Sequence, residues 1–441
     1  MSSLDDILAH TRYDSYVYAY PHKTAYRALD PPAPLAPLWA NEDRRALFLY
    51  VHVPFCEMRC GFCNLFTRPV PEEPAVDKYV AALERQARVV RRALDAGGAF
   101  AFARVAIGGG TPTYLAPEQL ARVIGAIRAV GAGAALPMSV ETSPATATRD
   151  RLQLLVDAGA DRISIGVQSF VEAEARAVNR PQRSVDVHAA LRAIRDARVA
   201  TLNIDLMYGL PGQTEDTWRA SLAAALEYRP EELYLYPLYV RPLTTLGRRG
   251  EPAIDAARVR LYELGRALLV ERGYRQVSMR MFRRGDAAAT SGPVYCCQAD
   301  GMIGLGCGAR SYTSALHYSS EWAVGARGVR DIIDRWVRRS DDDFAIADYG
   351  IRLDADEQRR RWLILSLFSA DGLDLAAYRA RFGGDAHAHF PELAELPARG
   401  LAAVTPTTIA LTRDGIARAD ALGPWLFSDA VRERMRSFEL R

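Results

Sequence analysis

Lysine is nearly missing from this chain: Lys23 and Lys78 are the two it has, and the rest of its 56 basic residues are arginine. That reads as a bias of composition before any function. Against 53 acidic residues the formal net charge is +3, which does not suit a general nucleic-acid binder or a membrane-surface protein. No apolar run is long enough to span a bilayer. Met1 to Asp14 is polar and acidic, without the basic start and apolar core of a signal peptide. The expectation is a soluble cytoplasmic protein, and a monomer. Six cysteines in 441 residues are too few for a disulfide framework. Three of them, Cys56, Cys60 and Cys63, crowd into one short segment, which favours metal ligation in a reducing compartment. The run Asp341-Asp342-Asp343 reads as a solvated loop.

What is present is a repeating pattern. Apolar, β-branched runs read as buried strands at 47–53, 103–107, 138–141, 162–167, 201–207 and 233–239. Amphipathic stretches between them read as helices at 75–94, 117–129, 149–157, 185–197 and 215–226. The last begins with Glu215 and Asp216, acids that the helix dipole favours there. Such alternation predicts parallel strands joined by crossover helices, hence an α/β fold: a partial (β/α)6 barrel or an open doubly wound sheet. Four regions are expected: an irregular N-terminal arm (1–45), the partial barrel (46–250), an extension with a Gly-rich stretch (251–350), and a mostly helical, winged-helix-like domain (351–441). In the last, helices are expected at 356–369, 375–382, 390–399 and 429–438, and a small hairpin at 402–411.

The segment Tyr50-Val-His52-Val-Pro-Phe-Cys56-Glu-Met-Arg-Cys60-Gly-Phe62-Cys63 carries the spacing C-x3-C-x2-C directly after a predicted strand. Three thiolates on one loop can hold three irons of a cubane and leave the fourth open to a small molecule; clusters without such chemistry use four. Zinc, or three buried structural thiols, are the other readings of the spacing. Further motifs fall at successive strand ends: Gly108-Gly109-Gly110-Thr111-Pro112-Thr113, Glu141 in Val-Glu-Thr-Ser-Pro, Gln168 in Gly-Val-Gln-Ser-Phe, Arg180 in Asn-Arg-Pro, and Asp205 in Asn-Ile-Asp-Leu-Met-Tyr-Gly. Taken singly, any one of these residues is more often structural than functional.

Together, in this order, they resemble the radical SAM superfamily. The wording Tyr-x-His-x-Pro-Phe-Cys is similar to the branch of oxygen-independent coproporphyrinogen III dehydrogenase and its heme-chaperone-like relatives. The resemblance implies a [4Fe–4S] cluster on Cys56, Cys60 and Cys63, and S-adenosylmethionine (SAM) bound by Tyr50, Phe62, Gly108, Gly109, Gly110, Thr111, Glu141, Gln168, Arg180 and Asp205. Tyr50 would lie near the sulfonium, Glu141 on SAM, Gln168 by the ribose, Arg180 on the carboxylate and Asp205 in the nucleoside pocket; Tyr50 and Asp205 are also the catalytic candidates. His52 is read equally as strand packing. Gly304-Leu-Gly306-Cys307-Gly308 lacks the spacing and context of a dinucleotide fingerprint. Cys296, Cys297 and Cys307 read as buried thiols before a second cluster or a reactive thiol.

The resemblance further implies an electron donor such as flavodoxin or ferredoxin, reductive SAM cleavage, and a small-molecule substrate from which hydrogen is abstracted. The porphyrin enzyme's motif continues C-x3-C-x2-C-x-C; here Leu65 stands at the last position. That departure turns the expectation toward class C-type methylation or C–C bond formation with a second SAM. Coproporphyrinogen dehydrogenase-like oxidation and heme carriage are the alternatives.

Overall fold

A computed structural model describes residues 4–10, 13, 16–250, 255–287 and 301–440. The chain divides into two units: Met1–Ala25 with Ile254–Gly285 and Leu353–Phe438, and Tyr26–Ala253 with Asp286–Arg352 and Glu439–Arg441.

In the larger unit the strands are β1 (Arg27–Pro34), β2 (Leu47–Val53), β3 (Phe102–Gly109), β4 (Met138–Thr142), β5 (Ala160–Gln168), β6 (Thr201–Tyr208), β7 (Glu232–Pro237), β8 (Met302–Leu305), β9 (Arg310–Tyr312), β10 (Leu316–Ser319) and β11 (Ile346–Arg352). They lie in the order β1-β11-β10-β9-β8-β2-β3-β4-β5-β6-β7. From β8 through β7 every neighbour is parallel; from β1 through β8 every neighbour is antiparallel. The predicted alternation is therefore present, with crossover helices at Glu73–Ala96, Pro117–Ala129, Arg149–Asp157, Ser184–Asp196 and Glu215–Glu227. The last is capped as its sequence suggests, the Thr214 side chain accepting from Thr217 N.

The strands do not bury both faces in the same way. Leu49, Val51, Val105, Ile107, Val140, Ile163, Ile165, Leu202, Ile204, Leu233 and Leu235 are buried on one parity, the parity that meets the helices' apolar stripes (Leu120, Val123, Leu152, Leu191, Leu222). Full burial of such a side chain contributes about 1.5–3 kcal/mol. The alternate parity carries Tyr50, His52, Arg104, Ser139, Glu141, Arg162, Ser164, Asn203, Asp205 and Glu232. These polar groups meet across the concave face: Arg162 Nε donates to Glu232 Oε2 at 2.8 Å, skipping over β6, and its Nη1 donates to Ser139 Oγ at 2.9 Å.

Three expectations are corrected. The Gly-rich stretch after residue 300 is a parallel strand, β8, beside β2. Gly304 sits there because a Cβ would stand 2.4 Å from the Arg310 carbonyl oxygen, so β-propensity was hidden by a packing demand. The N-terminal arm is not irregular throughout: it holds a helix, Leu4–His10, and β1, an edge strand able to carry Pro31 and Pro32. The acidic run 341–343 opens a one-turn helix, with Ser340 Oγ accepting from Asp343 N at 3.1 Å and Asp341 pairing with Arg92.

The smaller unit carries helices Asp255–Glu271, Ala355–Leu367, Leu375–Phe382, Ala419–Leu426 and Asp429–Arg436, and the expected hairpin, Ala402–Val404 against Thr408–Leu411. The helix expected over 390–399 is broken into the short turns Pro391–Ala394 and Glu395–Ala398, since Pro391 and Pro397 each lack an N–H. A buried Arg280–Asp420 pair at 2.6 Å ties the hairpin Tyr274–Arg284 to the helix Ala419–Leu426. Among the described residues no helix is long and apolar enough to cross a membrane. Cys296 and Cys297 lie outside the described residues.

The Arg162–Glu232 pair generates a test. Glu232→Leu alone strands a buried guanidinium and costs about 3–5 kcal/mol. The double variant Arg162→Met, Glu232→Leu recovers most of that loss in urea unfolding.

Candidate functional site

The cysteine loop leaves β2 and is fixed by backbone hydrogen bonds on several sides. Gly61 N donates to Val178 O at 2.7 Å, Leu246 N to Gly61 O at 3.0 Å, Thr111 N to Phe55 O at 2.7 Å and Val70 N to Cys56 O at 2.8 Å. Val70 holds its bond at a φ of 42°, a costly conformation for a β-branched residue. Phe62 packs on the apolar cluster Val178, Met207, Leu210, Leu238 and Leu246.

Each thiol has a polar neighbour. Arg180 Nη1 donates to Cys60 Sγ at 3.1 Å, Thr111 Oγ1 to Cys56 Sγ at 3.6 Å, and Thr67 Oγ1 lies 3.8 Å from Cys63 Sγ. Burial pushes the Cys56 thiol up to about 12 and raises that of Cys63. Without a metal these sulfurs stay protonated; a cluster's positive irons would hold them as thiolates. Among the described residues no three His, Cys, Asp or Glu side chains converge on a single-ion site; a cubane asks for less convergence, since each thiolate meets its own iron. Three thiols on one loop with a polar group at each sulfur fit an iron–sulfur cluster.

Glycine is required where β3 meets this loop. Gly109 has a φ of 110°, and a Cβ there would stand 2.5 Å from the His52 ring; at Gly110 it would stand 2.5 Å from Phe55 O and 2.9 Å from Cys56 Sγ. His52 is more than packing. Its Nε2 lies 3.1 Å from the Phe66 carbonyl and its Nδ1 3.3 Å from the Tyr50 hydroxyl. A carbonyl only accepts, so Nε2 carries the proton and Nδ1 accepts from Tyr50. One imidazole thus orients Tyr50 and holds the far end of the cysteine loop.

The strand ends supply acceptors. Gly109 N donates to Glu141 Oε2 at 3.1 Å, next to Gly108. Burial of its carboxylate in the recess raises the Glu141 pKa, only partly opposed by that hydrogen bond. Gln168 sits on a β-bulge at a φ of 68°, its Oε1 buried without a hydrogen-bond partner. Asn203 Nδ2 donates to Ser164 Oγ and to Asp205 Oδ1, both at 2.7 Å, and leaves its own Oδ1 without one. Desolvation pushes Asp205 up to about 7, against the Asn203 hydrogen bond. Buried, unsatisfied acceptors and two desolvated carboxylates fit a ligand that brings hydroxyl donors and positive charge, as SAM does. Arg180 is braced by the protein: besides Cys60 it donates to Gly166 O at 2.6 Å and Gln182 Oε1 at 3.0 Å, which leaves two of its five N–H donors for a ligand.

The sequence-predicted residues thus gather on one concave face and its rim. Arg162, Glu232, Ser139 and Ser164 beneath them were missed; the signal was a polar residue at every second strand position. Cys307 is buried with its Sγ 3.7 Å from Ser320 Oγ.

Asp205 carries a pH test. Folded, it keeps a proton up to about pH 7; an unfolded aspartate loses it near pH ~4. The folded state binds more protons in that window, so stability falls as pH rises through it. Cofactor-free Asp205→Asn escapes this loss. In urea unfolding it exceeds the wild type at pH 8 by up to about 4 kcal/mol (about three units at roughly 1.4 each), and the gap closes near pH 4. An equal gap at both pH values would refute the assignment.

The chain is similar to known proteins over most of its length. The Radical SAM superfamily model matches residues 50–225 and the HemN C-terminal domain model residues 353–418. The chain is 27% identical to an oxygen-independent coproporphyrinogen III oxidase of Cereibacter sphaeroides, over 85% of this chain and 81% of that protein. It is 31% identical to the heme chaperone HemW of Escherichia coli, over 60% of this chain and 69% of that protein. Its fold matches the coproporphyrinogen III oxidase HemN of Escherichia coli with a TM-score of 0.76, at 24% identity, covering 94% of this chain and 99% of the other. This chain belongs to the radical SAM superfamily, in the branch of the oxygen-independent coproporphyrinogen III oxidases and HemW heme chaperones.

Proposed function

We propose that this chain is a radical SAM oxidoreductase of the coproporphyrinogen oxidase kind, which removes hydrogen from a reduced, porphyrinogen-like substrate. The observation that carries this reading is the convergence of the cysteine loop with Glu141, Gln168, Arg180 and Asp205 on one concave face. The expectation of class C-type methylation with a second SAM finds no support among the relatives, which are oxidases and heme chaperones. Heme carriage is the second reading, favoured by Leu65 where the porphyrin enzymes have a further cysteine. Leu65 is 49% exposed.

When bound, a [4Fe–4S] cluster would supply the one-electron chemistry that reductively cleaves SAM, with a donor such as flavodoxin or ferredoxin as the electron source. Cys56, Cys60 and Cys63 hold that cluster. Glu141 offers its carboxylate to a ligand amino group beside the Gly108–Gly110 backbone. Gln168 and Asn203 present acceptors to hydroxyls. Asp205, fixed by Asn203, takes a hydroxyl proton or faces positive charge. Tyr50, oriented by His52, closes the floor.

The test is anaerobic turnover of reconstituted protein with dithionite, methyl-labelled SAM and coproporphyrinogen III. The expected result is 5′-deoxyadenosine that depends on the porphyrinogen, with its decarboxylated product and no S-adenosylhomocysteine. Glu141→Gln should lower that yield by about 10–100-fold, the range seen when a group supporting a metal site is lost. Tight heme binding without substrate-dependent SAM cleavage would establish carriage instead. Label transfer with S-adenosylhomocysteine would restore the methylase.

A further inference from the structure

We propose that Arg180 sets the reduction potential of the cluster, through the charged N–H···S hydrogen bond that it donates to Cys60 Sγ. The inference rests on the reading above that the cysteine loop holds an iron–sulfur cluster, and it concerns a task distinct from holding a ligand carboxylate.

The geometry is specific. The Nη1···Sγ distance is 3.1 Å, and Arg180 is only 8% exposed, so water screens its charge little. The guanidinium cannot swing freely: Nη2 is bonded to Gly166 O at 2.6 Å and Nε to Gln182 Oε1 at 3.0 Å. Gln182 is itself pinned, its Nε2 donating to Val167 O at 2.8 Å and Ser169 O at 2.9 Å, on either side of the bulge at Gln168. The same segment grips the loop a second time, Val178 O accepting from Gly61 N at 2.7 Å. The cation is therefore held at one ligand sulfur by two elements at once.

The physical consequence follows from charge. A one-electron reduction adds a negative charge that spreads over the cluster and its thiolates. A fixed cationic donor at one of those sulfurs stabilises the reduced form more than the oxidised form. Cys56 has the neutral Thr111 hydroxyl at its sulfur; Cys63 has the Thr67 hydroxyl and the Leu65 backbone N–H, and the Arg59 cation acts on it only through space, without a hydrogen bond. The asymmetry places the strongest electrostatic handle on Cys60.

The experiment is an EPR-monitored redox titration of reconstituted protein in the absence of SAM, comparing wild type with Arg180→Met, Arg180→Gln and Arg180→Lys at measured iron and sulfide content. The midpoint of Arg180→Met should fall by about 59 mV, a tenfold loss in the reduced-to-oxidised ratio for a one-electron couple. Arg180→Gln should fall less, and Arg180→Lys, which keeps the charge, least. Unchanged midpoints at full cluster content overturn the inference and leave the proposed function standing. Failure of all three variants to hold a cluster makes Arg180 a brace for the loop, and also overturns it. A wild type that takes up no iron and sulfide overturns both readings together.

Discussion

The period-two alternation of the parallel strands is the constraint from which the site follows. One parity must be apolar to cover the crossover helices, which frees the other to be polar only if its groups satisfy one another. They largely do so low on the concave face, where Arg162, Glu232 and Ser139 close on themselves. Higher up, toward the carboxyl ends, satisfaction stops: Gln168 Oε1 and Asn203 Oδ1 are buried without partners. Glu141 and Asp205 are carboxylates whose surroundings raise their pKa values. Arg104 Nε, lower on the same parity, also lacks a hydrogen-bond partner, but the free acceptors near the carboxyl ends are the ones that donors of a ligand can meet.

Electrostatics give the recess its direction. Two carboxylates with raised pKa values, on β4 and β6, sit across from a loop in which burial pushes Cys56 and Cys63 toward the neutral thiol. Arginines act on each side, Arg180 at the loop and Arg162 at the strands, yet the pKa values of Cys56, Cys63, Glu141 and Asp205 stay raised. A cluster corrects the loop, and a sulfonium or ammonium corrects the strands, so the two sites are complementary in what they lack. Arg180 is the protein's own fixed cation at the loop.

Much of this was legible in the sequence. All six strands with their connecting helices follow from hydrophobic runs and periodicity, and the cysteine loop and glycine strip follow from spacing. What was hidden had physical causes. β8 was masked because Gly304 and Gly306 answer to neighbouring backbone, not to strand propensity. The helix over 390–399 failed on two prolines whose missing N–H outweighed its apolar pattern. His52 could not be separated from packing, because its meaning lies in a contact with Phe66, fourteen residues away. The reaction subtype turned on one side chain, Leu65. Its sequence position pointed away from the porphyrin enzymes, while the relatives that align along the chain are both coproporphyrinogen oxidases and heme chaperones.

The close fit at Gly110 has a consequence for how such a protein can diversify. A single methyl group there would strike both Phe55 O and Cys56 Sγ, so drift on the strand side of the cysteine loop is closed off. On the same loop, Leu65 stands half out in solvent. One loop therefore joins a locked inner edge to a permissive outer one. New substrates can be explored from the outside inward, while the chemistry that every descendant needs is kept by a shortage of space.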